Sequence, residues 1–173
     1  CTASLTITDS NGTLQDLGDI TTDPPAADLT LTSGGFKCED LTITTNAEAF
    51  STTLALGANN VTCTGNLVVT STDAADFGQI TTSGGDITCV NFTLNANSDY
   101  VNSGNGANIT CTGNVSISST STYTHNSDHT LTFNSTGAVA QTITTNSKAL
   151  YNVTVNCSDA SGGVQLQDAL DID

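Results

Sequence analysis

Val61-Thr62-Cys63-Thr64-Gly65-Asn66-Leu67 recurs almost unchanged as Ile109-Thr110-Cys111-Thr112-Gly113-Asn114-Val115. Looser copies are Ile87-Thr88-Cys89-Val90-Asn91-Phe92 and Phe36-Lys37-Cys38-Glu39-Asp40-Leu41. The cysteines of this series stand 25, 26 and 22 residues apart. A period of that length marks a solenoid, in which each repeat buries its apolar face only against its neighbours.

Around these motifs run short stretches in which Leu, Ile, Val or Phe alternates with Thr, Ser or Asn. Examples are Leu29-Thr30-Leu31-Thr32, Leu41-Thr42-Ile43-Thr44, Leu67-Val68-Val69-Thr70 and Val153-Thr154-Val155. Period-2 alternation places the apolar residues on one face of a strand and the hydroxyls on the other. The Thr, Ser, Asn and Gly background disfavours helix throughout. Coils of about 22–26 residues holding three such strands predict an all-β, three-sided parallel β-solenoid of about seven coils, one domain over 1–173. Strands would stack about 4.8 Å apart. A β-sandwich also accommodates frequent short strands, but it does not account for repeats that match in sequence. Asp23-Pro24-Pro25-Ala26-Ala27-Asp28 reads as a loop insertion at 23–28, because proline cannot donate to a central ladder.

A longer pattern overlies the coil. Ser33-Gly34-Gly35 precedes Cys38 as Ser83-Gly84-Gly85 precedes Cys89, while Ala58-Asn59-Asn60 precedes Cys63 as Ala107-Asn108 precedes Cys111. Alternate coils therefore match best.

The charge balance restricts partners. The 173 residues carry two Lys+Arg against seventeen Asp+Glu, a formal charge of −15. Phosphate recognition needs clustered Lys or Arg, so nucleic acid is argued against. No apolar run reaches membrane-spanning length. Met is absent, so the chain reads as a processed product or an excerpt.

Cys1, Cys38, Cys63, Cys89 and Cys111 form one expected column facing inward. They read either as small apolar fillers or as cross-coil disulfides, since stacked Cα atoms fall within disulfide reach. Asn66, Asn91, Asn114 and Asn152, with Ser4 and Asp40 at matching points, form an expected asparagine ladder at a corner of the coil. Outward pairs Thr6/Thr8, Thr42/Thr44, Thr93/Asn95, Ser116/Ser118 and Thr154/Asn156 are expected to build two columns on one flat face. Sequons at Asn11, Asn60, Asn91, Asn108, Asn114, Asn134, Asn152 and Asn156 permit N-glycosylation.

Catalysis finds little support. Both lysines are isolated, and His125 and His129 have metal-pair spacing only on a helix. Tyr100, Tyr123 and Tyr151 read as scattered, which argues against an aromatic carbohydrate platform. No metal or cofactor is expected beyond Ca²⁺ held loosely by loop acids such as Asp19, Asp23, Asp28, Asp73, Asp76 and Asp86.

The stretch from Thr130-Leu131-Thr132-Phe133-Asn134 through Gln141-Thr142-Ile143-Thr144 to Leu150-Tyr151-Asn152-Val153-Thr154-Val155 and Val164-Gln165-Leu166 resembles the repeating segments of microbial surface proteins, adhesin-like β-solenoids. That resemblance implies an extracellular or cell-surface setting and a structural role rather than enzymatic activity. Thr62-Cys63-Thr64 and Thr110-Cys111-Thr112 resemble the strands of ice-binding solenoids, which gives an alternative; a carbohydrate-binding module is another. Finally, Ile172-Asp173 followed by Cys1 regenerates Ile-x-Cys. This predicts a junction of Cys1, Leu5 and Ile7 with Leu170 and Ile172, through which copies or tandem repeats stack head to tail into a filament. Glycans or other cell-surface components would be further partners.

Overall fold

A computed structural model describes residues 5–8, 15–16, 20–22, 29–45, 51–72, 74–135, 137–159 and 161–173. The chain is a parallel β-solenoid. Its first coil supplies β1 (Leu5–Thr8), β2 (Gln15–Asp16) and β3 (Ile20–Thr22). The second holds β4 (Leu29–Ser33), β5 (Phe36–Cys38) and β6 (Leu41–Thr45), and the third β7 (Thr52–Gly57), β8 (Val61–Cys63) and β9 (Leu67–Ser71). Next come β10 (Gly78–Thr82), β11 (Ile87–Cys89) and β12 (Phe92–Leu94), then β13 (Ser98–Asn102), β14 (Ile109–Cys111) and β15 (Val115–Ile117). The sixth coil carries β16 (Thr122–Thr124), β17 (Thr130–Phe133) and β18 (Gln141–Thr144). The last strands are β19 (Ala149–Leu150), β20 (Asn152–Val155), β21 (Val164–Leu166) and β22 (Asp171–Ile172).

Strands three apart pair in parallel. They build a first sheet β1-β4-β7-β10-β13-β16, a second β2-β5-β8-β11-β14-β17-β20 and a third β3-β6-β9-β12-β15-β18-β21. β19 falls between third-sheet β18 and second-sheet β20 in chain order, the first-sheet position of its coil, and β22 pairs with it one rung on. The register advances by as few as 20 residues (Ile80 to Tyr100) and as many as 28 (Val115 to Ile143). Strands hold their stacking, and the corners absorb the difference. No helix among the described residues is long and apolar enough to cross a membrane. The proposed insertion at 23–28 lies outside the described residues.

The core is a set of vertical columns, because in-register stacking places like on like. Phe36, Val61, Ile87, Ile109 and Leu131 form one column of the second sheet. Leu41, Leu67, Phe92, Val115 and Ile143 form one of the third. All ten are essentially inaccessible. Leu54, Ile80, Tyr100 and Tyr123 line the first sheet. Buried hydroxyls sit where strands end and bond the backbone of the bends: Ser98 donates to the Asn95 carbonyl at 2.6 Å, and Ser121 to that of Ser118 at 2.7 Å. Such bonds satisfy carbonyls that the ladders leave behind.

Corner glycines are fixed by close approach of the coil below. A Cβ at Gly85 would fall on the Asn59 carbonyl, and one at Gly104 on that of Ser83. At Gly137 the nearest heavy atom would be 4.0 Å away. Gly85→Ala should therefore lower unfolding free energy by about 1–3 kcal/mol, while Gly137→Ala should leave it nearly unchanged. Denaturant unfolding of the two variants checks this.

Candidate functional site

A cysteine column, a pair of corner ladders, an internal aromatic stack and one exposed end concentrate the chemistry of the described residues. The first arrangement is the cysteine column. Cys38, Cys63, Cys89 and Cys111 all point inward and are buried, with no disulfide between them. The column ends there, because Phe133 pairs with Cys111 in the next coil and Val155 with Phe133. Cys157 is half-buried in the loop after β20, its Sγ 3.9 Å from Gln141 Oε1. Cys1 lies outside the described residues. Burial and the neighbouring thiol push Cys63 and Cys89 far above the usual thiol range; in each, the hydrogen bond to the partner sulfur is the leading cause.

The second arrangement is a pair of polar ladders. Between the second and third sheets, Asp40 Oδ1 accepts the Asn66 amide N–H. Asn91 Nδ2 donates to Asn66 Oδ1 at 2.7 Å. Asn91 Oδ1 accepts from the Asn114 N–H at 2.6 Å, and Asn114 Oδ1 from the Thr142 N–H at 2.8 Å. Asn152 is not in this column. It pairs with Thr130 on the second sheet, because the coil above Asn114 passes through Thr142. Asn152 instead tops a ladder that the sequence reading missed, between the first and second sheets. There Asn60 Oδ1 accepts from the Asp86 N–H (2.9 Å), Asp86 from that of Asn108 (2.8 Å) and Asn108 from that of Thr130 (2.9 Å). Its signal was an Asn or Asp immediately before Val61, Ile87 and Ile109.

These ladders occupy several sequons. The Asn91 amide nitrogen, where a glycan would attach, already bonds Asn66. That of Asn152 donates to the His129 carbonyl at 3.2 Å and that of Asn156 to Asn134 Oδ1 at 3.4 Å. Asn60, Asn108 and Asn114 engage their carbonyl oxygens in the ladders. Asn11 lies outside the described residues.

The third arrangement is an internal aromatic stack. Tyr100 and Tyr123 are not scattered: they occupy one register position and stack with centroids 5.1 Å apart at 24°. Their spacing of 23 residues equals one coil, which was the available signal. They face inward, so they offer no exposed platform. His129 and His125 join them, stacked at 5.7 Å and 21°. His129 Nδ1 lies 2.7 Å from the Ala107 carbonyl, which can only accept, so Nδ1 carries the proton and Nε2 accepts from Tyr123 Oη at 2.6 Å. Tyr100 Oη also donates to the Ala107 carbonyl, at 3.1 Å. Burial lowers the His129 pKa from 6.5 to about 4; the Ala107 carbonyl opposes the shift and nearby His125 adds to it.

The outer faces are hydroxyl-rich but divided. Thr62, Thr88, Thr110, Thr132 and Thr154 stack in one column on the second sheet, with Lys37 below them. The expected single face does not form. Thr42, Thr93 and Ser116 share a third-sheet column through Val68, whereas Thr6 lies on the first sheet and Thr154 on the second. Among the described residues no three His, Cys, Asp or Glu side chains converge on a common point. Asp19, Asp23, Asp28 and Asp73 lie outside them.

At the open end, Val155, Leu166 and Ile172 occupy the inward columns of the final strands and are 53, 51 and 49% exposed. Their partners one coil below, Phe133, Ile143 and Leu150, are at most 1% exposed. Leu170 packs partly buried against the core. The expected junction register is corrected here. To continue the Ile-x-Cys series Ile172 would lie on the second sheet and Leu5 on the third. Ile172 instead pairs with Leu150 in the first-sheet position, and Leu5 and Ile7 pair with Leu29 and Leu31 of the first sheet. All three faces share the Leu-Thr-Ile-Thr alternation, so that pattern does not specify a face.

Comparison with family models, curated proteins and solved structures finds no match to this chain. The functional reading rests on the fold and its residues.

The His129 environment sets a pH dependence. Above pH 6.5 both folded and unfolded states are neutral at this residue, and its stability contribution is intact. Between 6.5 and about 4 the unfolded chain takes up a proton that the native state refuses, so stability falls with pH. The loss should level off near about 3 kcal/mol. Denaturant titrations at several pH values should show this slope in the wild type and its reduction in His129→Gln.

Proposed function

We propose that this chain is a structural segment of an extracellular filament or surface fibre, lengthened by stacking one solenoid end on another. The observation that carries this reading is the exposure of Val155, Leu166 and Ile172, three inward positions that no described rung covers. Each would regain about 1 kcal/mol on being covered, roughly half of full burial. The edges of β20, β21 and β22 would also gain backbone partners that an open sheet otherwise leaves to water. At the other end β1, β2 and β3 terminate the three sheets. A second copy, or a tandem segment, meets one end with the other in a heterologous contact that does not close on itself. The resemblance to adhesin-like repeats supports a cell-surface setting, with glycans and neighbouring surface components as partners.

The −15 charge opposes association, and salt relieves that repulsion. Purified protein examined by electron microscopy and light scattering over a concentration series should form rods in moderate salt, with an axial repeat of about 35 Å per copy. Leu166→Lys combined with Ile172→Lys should abolish them, leaving the far-UV spectrum unchanged. Monomers of the unsubstituted chain at high concentration and moderate salt would overturn self-stacking.

The column Thr62, Thr88, Thr110, Thr132 and Thr154 supports an ice-binding alternative. Its neighbouring outward positions, Thr64, Val90, Thr112, Asn134 and Asn156, are chemically mixed. Thermal hysteresis that Thr110→Lys removes would favour that alternative. The inward burial of Tyr100 and Tyr123 weighs against a carbohydrate platform.

A further inference from the structure

The buried cysteines do not form an evenly spaced column. Cys38 pairs in register with Cys63, their sulfurs 3.4 Å apart, and Cys89 pairs with Cys111 at 3.7 Å. Between the two pairs, the ladder of β8 with β11 pairs Val61 with Ile87 and Thr62 with Thr88 and stops short of the cysteines. The corner alternation explains the grouping. Three residues separate Cys63 from Leu67 and Cys111 from Val115, but only two separate Cys38 from Leu41 and Cys89 from Phe92. Each pair thus joins a short-cornered coil to the long-cornered coil above it.

We propose that Cys38–Cys63 and Cys89–Cys111 are sites of cross-rung disulfide formation, giving two staples that each lock one coil pair of the solenoid. In-register Cα atoms about 4.8 Å apart fit the span of a disulfide. Stacked Cβ atoms at that same rise sit slightly beyond the usual disulfide separation, so closure draws the paired rungs together locally. In the finished fold the four thiols are at most 2% exposed. Oxidation therefore takes place before the coils close over them, while a thiolate can still form. The oxidant is a small-molecule or protein disulfide. One cysteine thiolate attacks it to give a mixed disulfide and releases one donor thiol. The second cysteine thiolate then displaces the other donor sulfur, forming the protein disulfide. Two protein thiols are oxidised and one donor disulfide is reduced to two thiols. Cys157, beside Gln141, has no cysteine partner among the described residues and stays a thiol. This inference is independent of end-to-end stacking.

The test is refolding of the full chain in oxidised and reduced glutathione, followed by alkylation under denaturing, non-reducing conditions. A protease that cleaves before aspartate places the four cysteines in separate fragments, 28–39, 40–72, 86–98 and 99–127. Mass spectrometry should find 28–39 linked to 40–72 and 86–98 linked to 99–127, each pair two hydrogens lighter than its free thiols. The oxidised protein should melt about 5–10 °C above the reduced form per bond. Cys38→Ala with Cys63→Ala should lose the first link and keep the second. Alkylation of all four cysteines after oxidative refolding, or a dominant link between 40–72 and 86–98, would overturn the proposal.

Discussion

Everything in this molecule depends on parallel, in-register stacking of one rung on the next. That constraint turns a one-dimensional repeat into vertical columns, so a residue's neighbours are the residues one coil away. Cysteine meets cysteine, tyrosine meets tyrosine, and an Asn or Asp side chain meets the backbone N–H above it. It also makes each coil dependent on the next for burial. The contrast between Phe133 and Val155, in one column but one rung apart, shows how completely coverage decides exposure.

Much of this was legible in the sequence. The spacing of Cys38, Cys63, Cys89 and Cys111 gave the coil, and the Leu-Thr-Ile-Thr alternation gave the strands and their inward faces. What stayed hidden was the face to which a given strand belongs. Leu5 resembles Leu41 and Leu29 equally well, and only the wound chain assigns it to the first sheet. Asn152 was misplaced for a related reason: the long connection from Phe133 to Gln141 shifts the count between corners, so an asparagine before a valine no longer identifies one corner. The stacking of Tyr123 on Tyr100 and its bond to His129 were not legible, because similarity of flanking residues, not coil spacing alone, aligns the repeats.

The interior is more polar than its hydrophobic columns suggest. His129, Tyr123 and Tyr100 form a hydrogen-bonded group around the Ala107 carbonyl, buried where the first sheet turns into the second. Buried networks of this kind are stable only when each member is satisfied. The outer faces, by contrast, bring no three His, Cys, Asp or Glu side chains to a common point among the described residues. The proposed architectural role rests on the exposed apolar residues Val155, Leu166 and Ile172.

The alternation of short and long corners has a consequence for how such a rod can change length. Gly65 lies over Asp40 and Gly113 over Asn91, so each long corner leaves out a side chain where the shorter corner beneath it projects one. Between Cys38 and Val115, removing or duplicating a single coil would set two corners of the same kind against each other, crowding side chains or leaving a carboxamide with nothing above it. Within that stretch two coils, about 9.6 Å of rise, are therefore the smallest module that can be gained or lost without disturbing the joints on either side.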